Sequence, residues 1–233
     1  MSFGNFARKV RDPALPYGRR VSALRSCVQL YRPLGFEATL SFLEARAGAF
    51  STDEAALLRA LAALEVSRSA WNAEKQAYAA NRRQAKRRGE RSPHPNGTNP
   101  YVPAHWYGAR QEAALHAVRF WHRSRLANLI REDDPASLEL GRCVQVCLDF
   151  DGDITPDQRQ SLARCLSEFI TRLQPALWHD NQADYFRVRD LLTVARHMEA
   201  ATSPRPAGHR LTHLTPGGRA TGGTSMRSKR RAP

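Results

Sequence analysis

The sequence predicts an all-α fold: an irregular bundle of six or seven helices, one of them long, with a basic linker and a disordered basic C-terminal tail. Three observations carry this expectation. Apolar residues recur at steps of three and four through most of the chain. Residues 52–88 contain no Gly or Pro, and Leu57, Leu64, Trp71 and Tyr78 recur there every seven residues. Helix-start signals precede several of the periodic runs, as in "STDE" at 51–54, Asp134-Pro135 and "TPDQ" at 155–158.

Taken in order, residues 1–17 read as irregular, with Pro13 and Pro16. Val21, Leu24, Val28 and Tyr31 then fall at helical spacing until Pro33, and Phe36, Leu40, Phe42 and Leu43 suggest a second short helix ending near Gly48. "STDE" reads as a capping box, with Ser51 as N-cap and Glu54 reaching back. The long helix it opens would span about 55 Å at roughly 1.5 Å per residue. Residues 89–106 read as a linker rich in Pro, Gly and Asn.

A helix is expected over 107–131, with Leu115, Val118, Leu126 and Leu129 on its apolar face. Residues 136–148 fit either a strand, through alternating Val144, Val146, Leu148 and Phe150, or a helix, through Leu140, Val144 and Cys147. Asp134-Pro135 as N-cap and first helical residue favours the helix. Leu162, Leu166, Phe169, Ile170 and Leu173 form the next stripe, and Asp180 can cap a last helix carrying Val188, Leu191, Leu192, Ala195 and Met198. The expected divisions are an irregular segment at 1–17, helical regions at 18–88 and 107–200, the linker between them, and a tail at 201–233 whose composition indicates disorder.

Charge points toward a partner. The chain of 233 residues carries a net charge of +14, and arginine supplies most of its 36 basic residues. The charge is segregated: +6 over residues 1–35, +5 over 82–91 and +7 over 201–233, leaving the remainder mildly acidic. Arginine pairs phosphate with a planar fork and stacks on aromatics, which suits a polyanion. No stretch approaches the roughly 18 apolar residues of a membrane helix, and the four cysteines offer no disulfide framework. A reducing compartment, nucleus and cytoplasm, is expected, without membrane association.

The stretch "LDFDGDITPDQ" at 148–158 invites an enzymatic reading. It resembles the first motif of the HAD phosphatases, by which Asp149 would be nucleophile and Asp151 acid/base. Asp153 replaces that family's Thr, and the only later lysine is Lys229 in the tail. As a calcium loop it has Ile154 and Gln160 where Gly and Glu are needed. Thr155, Pro156 and Gln158 instead make a helix start, with the aspartates at the positive end of its dipole. Cys143, Cys147 and Cys165, with His179, could be offered to zinc, but read as buried small hydrophobes. His116 and His122 read as surface imidazoles. No catalytic set, metal site or cofactor is expected.

The nucleic-acid signature is "RFWHRSR" at 119–125, where arginines interleave with aromatics. Arg82, Arg83, Lys86, Arg87 and Arg88 are the first set expected to meet phosphate, and Arg119, Trp121, Arg123 and Arg125 the second. Arg227, Lys229, Arg230 and Arg231 suit a nuclear-import signal.

At Thr98, Asn99, Pro100 and Tyr101, then Phe120, Trp121 and His122, then Arg125, Leu126 and Ala127, the chain resembles the small nuclear accessory nucleoprotein of parvoviruses, best known from bocaparvoviruses. "ADYFRVRDLL" is similar to a further stretch of that family. The family's N-terminal half is typically disordered and Arg/Ser-rich, whereas residues 20–80 here read as helical. The resemblance implies a non-enzymatic nuclear nucleoprotein that supports viral DNA replication and transcript processing, with host nuclear-import and RNA-processing proteins as partners. The function expected is therefore a nucleic-acid-associated accessory protein with weak sequence preference for RNA or DNA. The alternatives are a helical nucleocapsid or coat-type RNA-packaging protein, or an RNA-silencing suppressor.

Overall fold

The computed structural model describes residues 2–89 and 106–203, and among them every regular element is helical. Met1–Ser203 forms one compact unit. The helices are α1 (Phe3–Arg11), α2 (Tyr17–Leu30), α3 (Phe36–Ala47), α4 (Glu54–Arg87), α5 (Arg110–Trp121), α6 (Pro135–Asp149), α7 (Pro156–Arg172), α8 (Pro175–Asp180) and α9 (Gln182–Ala201). A π-helical turn, His122–Leu126, and a short α-helical piece, Ala127–Leu129, prolong α5. The helical reading of 136–148 holds.

Residues 3–11, expected to be irregular, form α1. Ser2 caps it by accepting from the Asn5 backbone N–H, and Phe3, Ala7 and Val10 are buried on one face. The prolines at 13 and 16 come after this helix and break only the turn that follows it. Arg20, 4% exposed, fastens the turn: its Nε donates to the Val10 carbonyl and its guanidinium meets Glu54 at 2.7 Å.

The start of α4 also differs from expectation. Asp53, not Ser51, is the N-cap, accepting from the Ala55 N–H at 2.9 Å. The better-placed carboxylate wins the cap, which leaves Glu54 to pair with Arg20. The first half of α4 buries Ala56, Leu57, Ala60, Leu61, Leu64 and Ser67. The Tyr31 and Ser67 hydroxyls lie 2.8 Å apart, and Trp71 stacks on Tyr31 with ring centroids at 5.1 Å.

Two apolar cores result. The first gathers α1–α4 with Ala113 and Ala117 of α5, and Trp106 joins it against Phe42. Trp106 was expected within the linker. It is 3% exposed and belongs to the core, because no other large group fills the edge-on position 5.0 Å from Phe42. The rest of the expected linker, 90–105, and the expected tail, 204–233, lie outside the described residues. The second core joins α5–α9 through Val118, Leu140, Val144, Phe169, Val188 and Leu191. Ala114, Ala200 and Ala201 let α5 and α9 approach closely. Thus α5 serves both cores, and the two expected helical regions close into one unit.

The last helix begins at Gln182 with Asn181 as its cap, accepting from the Asp184 N–H, while Asp180 ends the separate short helix α8. The backbone turns between them, so the capping side chain comes one residue later than the sequence suggested. Nine helices rather than six or seven follow from α1, α8 and this division.

Candidate nucleic-acid interface

"LDFDGD" ends one helix before "TPDQ" begins the next. Phe150 caps α6, Asp151 takes a left-handed backbone (φ 51°), and the Gly152 N–H donates to the Cys147 carbonyl at 2.7 Å. This six-to-one closure is the Schellman arrangement, and Asp tolerates the left-handed region better than most residues. Gly152, at φ 97°, sits where a β-carbon would lie 3.4 Å from the Ala201 carbonyl. Thr155 and Gln158 then form the expected capping box in both directions, with Pro156 in the first turn. Asp149 accepts from Gln145 Nε2 at 2.8 Å, and Asp151 pairs with Arg119 at 2.5 Å. Among the described residues no group of three or more His, Cys, Asp or Glu is placed to hold a metal ion.

Cys143, Cys147 and Cys165 are buried in the second core. Burial pushes the Cys147 and Cys165 thiols up to about 11. They stay protonated, and the Cys165 thiol donates to the Ala136 carbonyl at 3.5 Å. A zinc site needs thiolate, so these groups serve as small apolar residues.

The basic residues fall on two described surfaces. Arg83, Lys86, Arg87 and Arg88 are exposed at the C-terminal end of α4, and Arg82 is half-buried there. Cations at that end also favour the negative pole of the helix. The second surface is the end of α5. Arg123 and Arg125 are exposed within the π-helical turn, and neither has a carboxylate partner among the described residues. Such turns splay side chains that a regular helix would hold closer, and they recur at functional sites. Ser124 steadies the turn by donating to the Phe120 carbonyl at 2.7 Å.

Trp121 is less open than a base-stacking role would want. It packs on the second core, its indole N–H is buried without a partner, and the Arg125 guanidinium lies 5.8 Å from its ring centroid. Phe120 packs against the first core. The aromatics of "RFWHRSR" therefore hold the helix down, and its arginines face outward. Arg119 is divided between Asp151 and solvent, with its side chain 43% exposed.

His116, read as a surface imidazole, is half-buried edge-on to Phe42 and within 3.0 Å of the Ser41 hydroxyl. Burial lowers its pKa, and Arg123 and Arg119 lower it further. It stays neutral and adds no charge to the surface, whereas His122 is exposed.

A charged clasp at the opposite side of the second core was not legible in the sequence. Asp134 caps α6 and receives Arg172 at 3.0 Å and Arg187 at 2.8 Å. Arg187 also donates to Asp184 at 2.7 Å and to the Leu129 carbonyl. Burial alone would raise the Asp134 pKa, but hydrogen bonds from Arg187 and Arg172 outweigh it and hold it below the usual carboxylate value. These guanidiniums are spent on carboxylates and leave no opening for phosphate. Arg227, Lys229, Arg230 and Arg231 lie outside the described residues, as do Thr98, Asn99, Pro100 and Tyr101. Comparison with protein families, curated proteins and solved structures finds no match to this chain.

Proposed function

We propose that the protein is a non-enzymatic nucleic-acid-binding accessory factor. The observation that carries this reading is the outward set at the end of α5: Arg123 and Arg125, exposed in a π-helical turn with no carboxylate to neutralise them. Arg83, Lys86 and Arg87 at the end of α4 form a second such set. Both present guanidinium or ammonium groups without a constellation that reads base edges, so binding tracks the phosphate backbone with weak sequence preference. By its resemblance to the parvoviral nuclear nucleoprotein, the setting is a nucleus in which viral DNA is replicated and transcripts are processed.

Fluorescence anisotropy with a labelled oligonucleotide tests the reading. Affinity is expected to fall linearly on a log–log salt plot, by about 0.7 to 0.9 per phosphate contact. Arg123→Ala/Arg125→Ala should weaken binding and flatten that slope with the fold intact. Affinity unchanged between low and high salt would overturn the electrostatic reading. Large uniform particles in light scattering on adding RNA would favour the coat-type alternative.

A further inference from the structure

The α1–α2 hairpin carries the most concentrated unpaired charge among the described residues outside the surfaces above. Arg8, Lys9, Arg19, Arg25 and Arg32 are all exposed, and none has a carboxylate partner among the described residues. Elsewhere the pattern is different. Arg11 meets Glu65, Arg20 meets Glu54 and Arg46 meets Glu112. The one acidic residue in the first 35, Asp12, is turned to its own loop, where it accepts from the Ala14 N–H. The positive field of this face is therefore uncompensated.

The face is also shaped. Between α1 and α2 runs an open groove of about 230 Å³, smaller than the roughly 300 Å³ at which drug-sized sites begin. Phe6, Leu15 and Ala23 give it an apolar floor, and Lys9 and Arg19 stand at its rim. Ser22 and Ser26 add hydroxyls one helical turn apart on the α2 wall. Lys9 Nζ lies 5.7 Å from the centroid of the half-buried Phe6 ring. A ligand that fits must be small, flat and apolar in one part and anionic in another. The arrangement is held firmly, since Arg20 ties the Val10 carbonyl to Glu54 beneath it.

We infer that this groove seats one nucleotide of a single-stranded nucleic acid, its base against Phe6 and Leu15 and its phosphate between Lys9 and Arg19. The inference rests on the proposed function and extends it to a surface that the charge of the N-terminal head announces but whose shape only the fold supplies. Base-on-aromatic contact tolerates any sequence, and the flanking Arg8 and Arg25 can follow the backbone onward.

The test uses the intact chain and a labelled oligouridine, with the matching oligothymidine as the DNA arm. Lys9→Ala/Arg19→Ala removes two exposed cations, and circular dichroism verifies the helical fold. The variant should bind more weakly, with a log–log salt slope shallower by about 1.4, two contacts at about 0.7 each. Photocross-linking with 5-iodouridine should label Phe6 in the intact chain. If the variant binds with the parental affinity and slope while Arg123→Ala/Arg125→Ala does not, the groove assignment fails and the proposed function stands. No salt-dependent binding by the intact chain overturns both. If the variant keeps oligonucleotide binding but loses pelleting with phosphatidylserine vesicles, the groove belongs to a lipid headgroup and the assignment is wrong.

Discussion

At the far side of the second core, Arg172 and Arg187 turn inward onto Asp134, whereas on the α1–α2 face Arg8, Arg19, Arg25 and Arg32 meet only solvent. The residue type is the same and the local sequences are equally polar. What differs is a carboxylate delivered from elsewhere in the chain: Asp134 stands 53 residues from Arg187. A high arginine content therefore does not measure the capacity to bind phosphate. The useful quantity is the number of guanidiniums left over after the fold has used its own.

The largest expected effect lies in the clasp. Asp134 and Arg187 have side chains only 7% and 8% exposed, so Asp134→Ala strands a buried cation. Stability to urea should fall by about 3–5 kcal/mol. A loss under 1 kcal/mol would show that the inward arginines are not structural and erase the contrast.

Acid probes the same half by another route. His197 is 3% exposed, with neither ring nitrogen hydrogen-bonded, and burial pushes it down to about 4, a weak interaction with the Leu34 backbone opposing this. The folded state holds it neutral. Its contribution is complete above the model value of 6.5 and is lost as pH falls from there toward 4, by roughly 3 kcal/mol. The Asp134 carboxylate, held low by its arginines, drops out only below its model value of 3.8. Denaturation midpoints at pH 7 and pH 4.5 should thus separate the two groups, with His197→Leu flattening the upper window alone.

Smaller still is the cap. Thr155→Ala should cost about 1 kcal/mol in thermal melts, since it removes one side of the capping box. At the bottom of the scale, Arg119→Ala breaks an exposed pair and should change stability by less than about 1 kcal/mol. Arg123→Ala/Arg125→Ala should leave the melting temperature unchanged while weakening oligonucleotide binding. A marked loss of stability there would mean that the outward arginines hold the fold after all.

The readings that survived rest on short-range chemistry. Asp134-Pro135 and Thr155 through Gln158 announce their helices because cap and partner lie within three residues. The stripe from Val188 to Met198 is legible because burial on one helix face imposes its own period. Where two caps compete, as Ser51 and Asp53 do, composition cannot choose. Phe3 and Val10 were passed over because α1 is short and crowded with charge. Trp106 has no periodic neighbours, so only its fit against Phe42 reveals its place. At the candidate interface, the exposed arginines of 123–125 were legible, but the inward packing of Trp121 was not.

The sharing of α5 between both cores has a consequence for biosynthesis. A ribosome releases α1–α4 well before Trp106, Ala113 and Ala117 emerge to close the first core. The second core in turn waits for α9, whose Ala200 and Ala201 pack on Ala114 of the same helix. Neither half can finish alone, so maturation is expected to be a late, concerted event. A chain truncated before α9 should be cleared by proteases rather than persist as a stable N-terminal fragment.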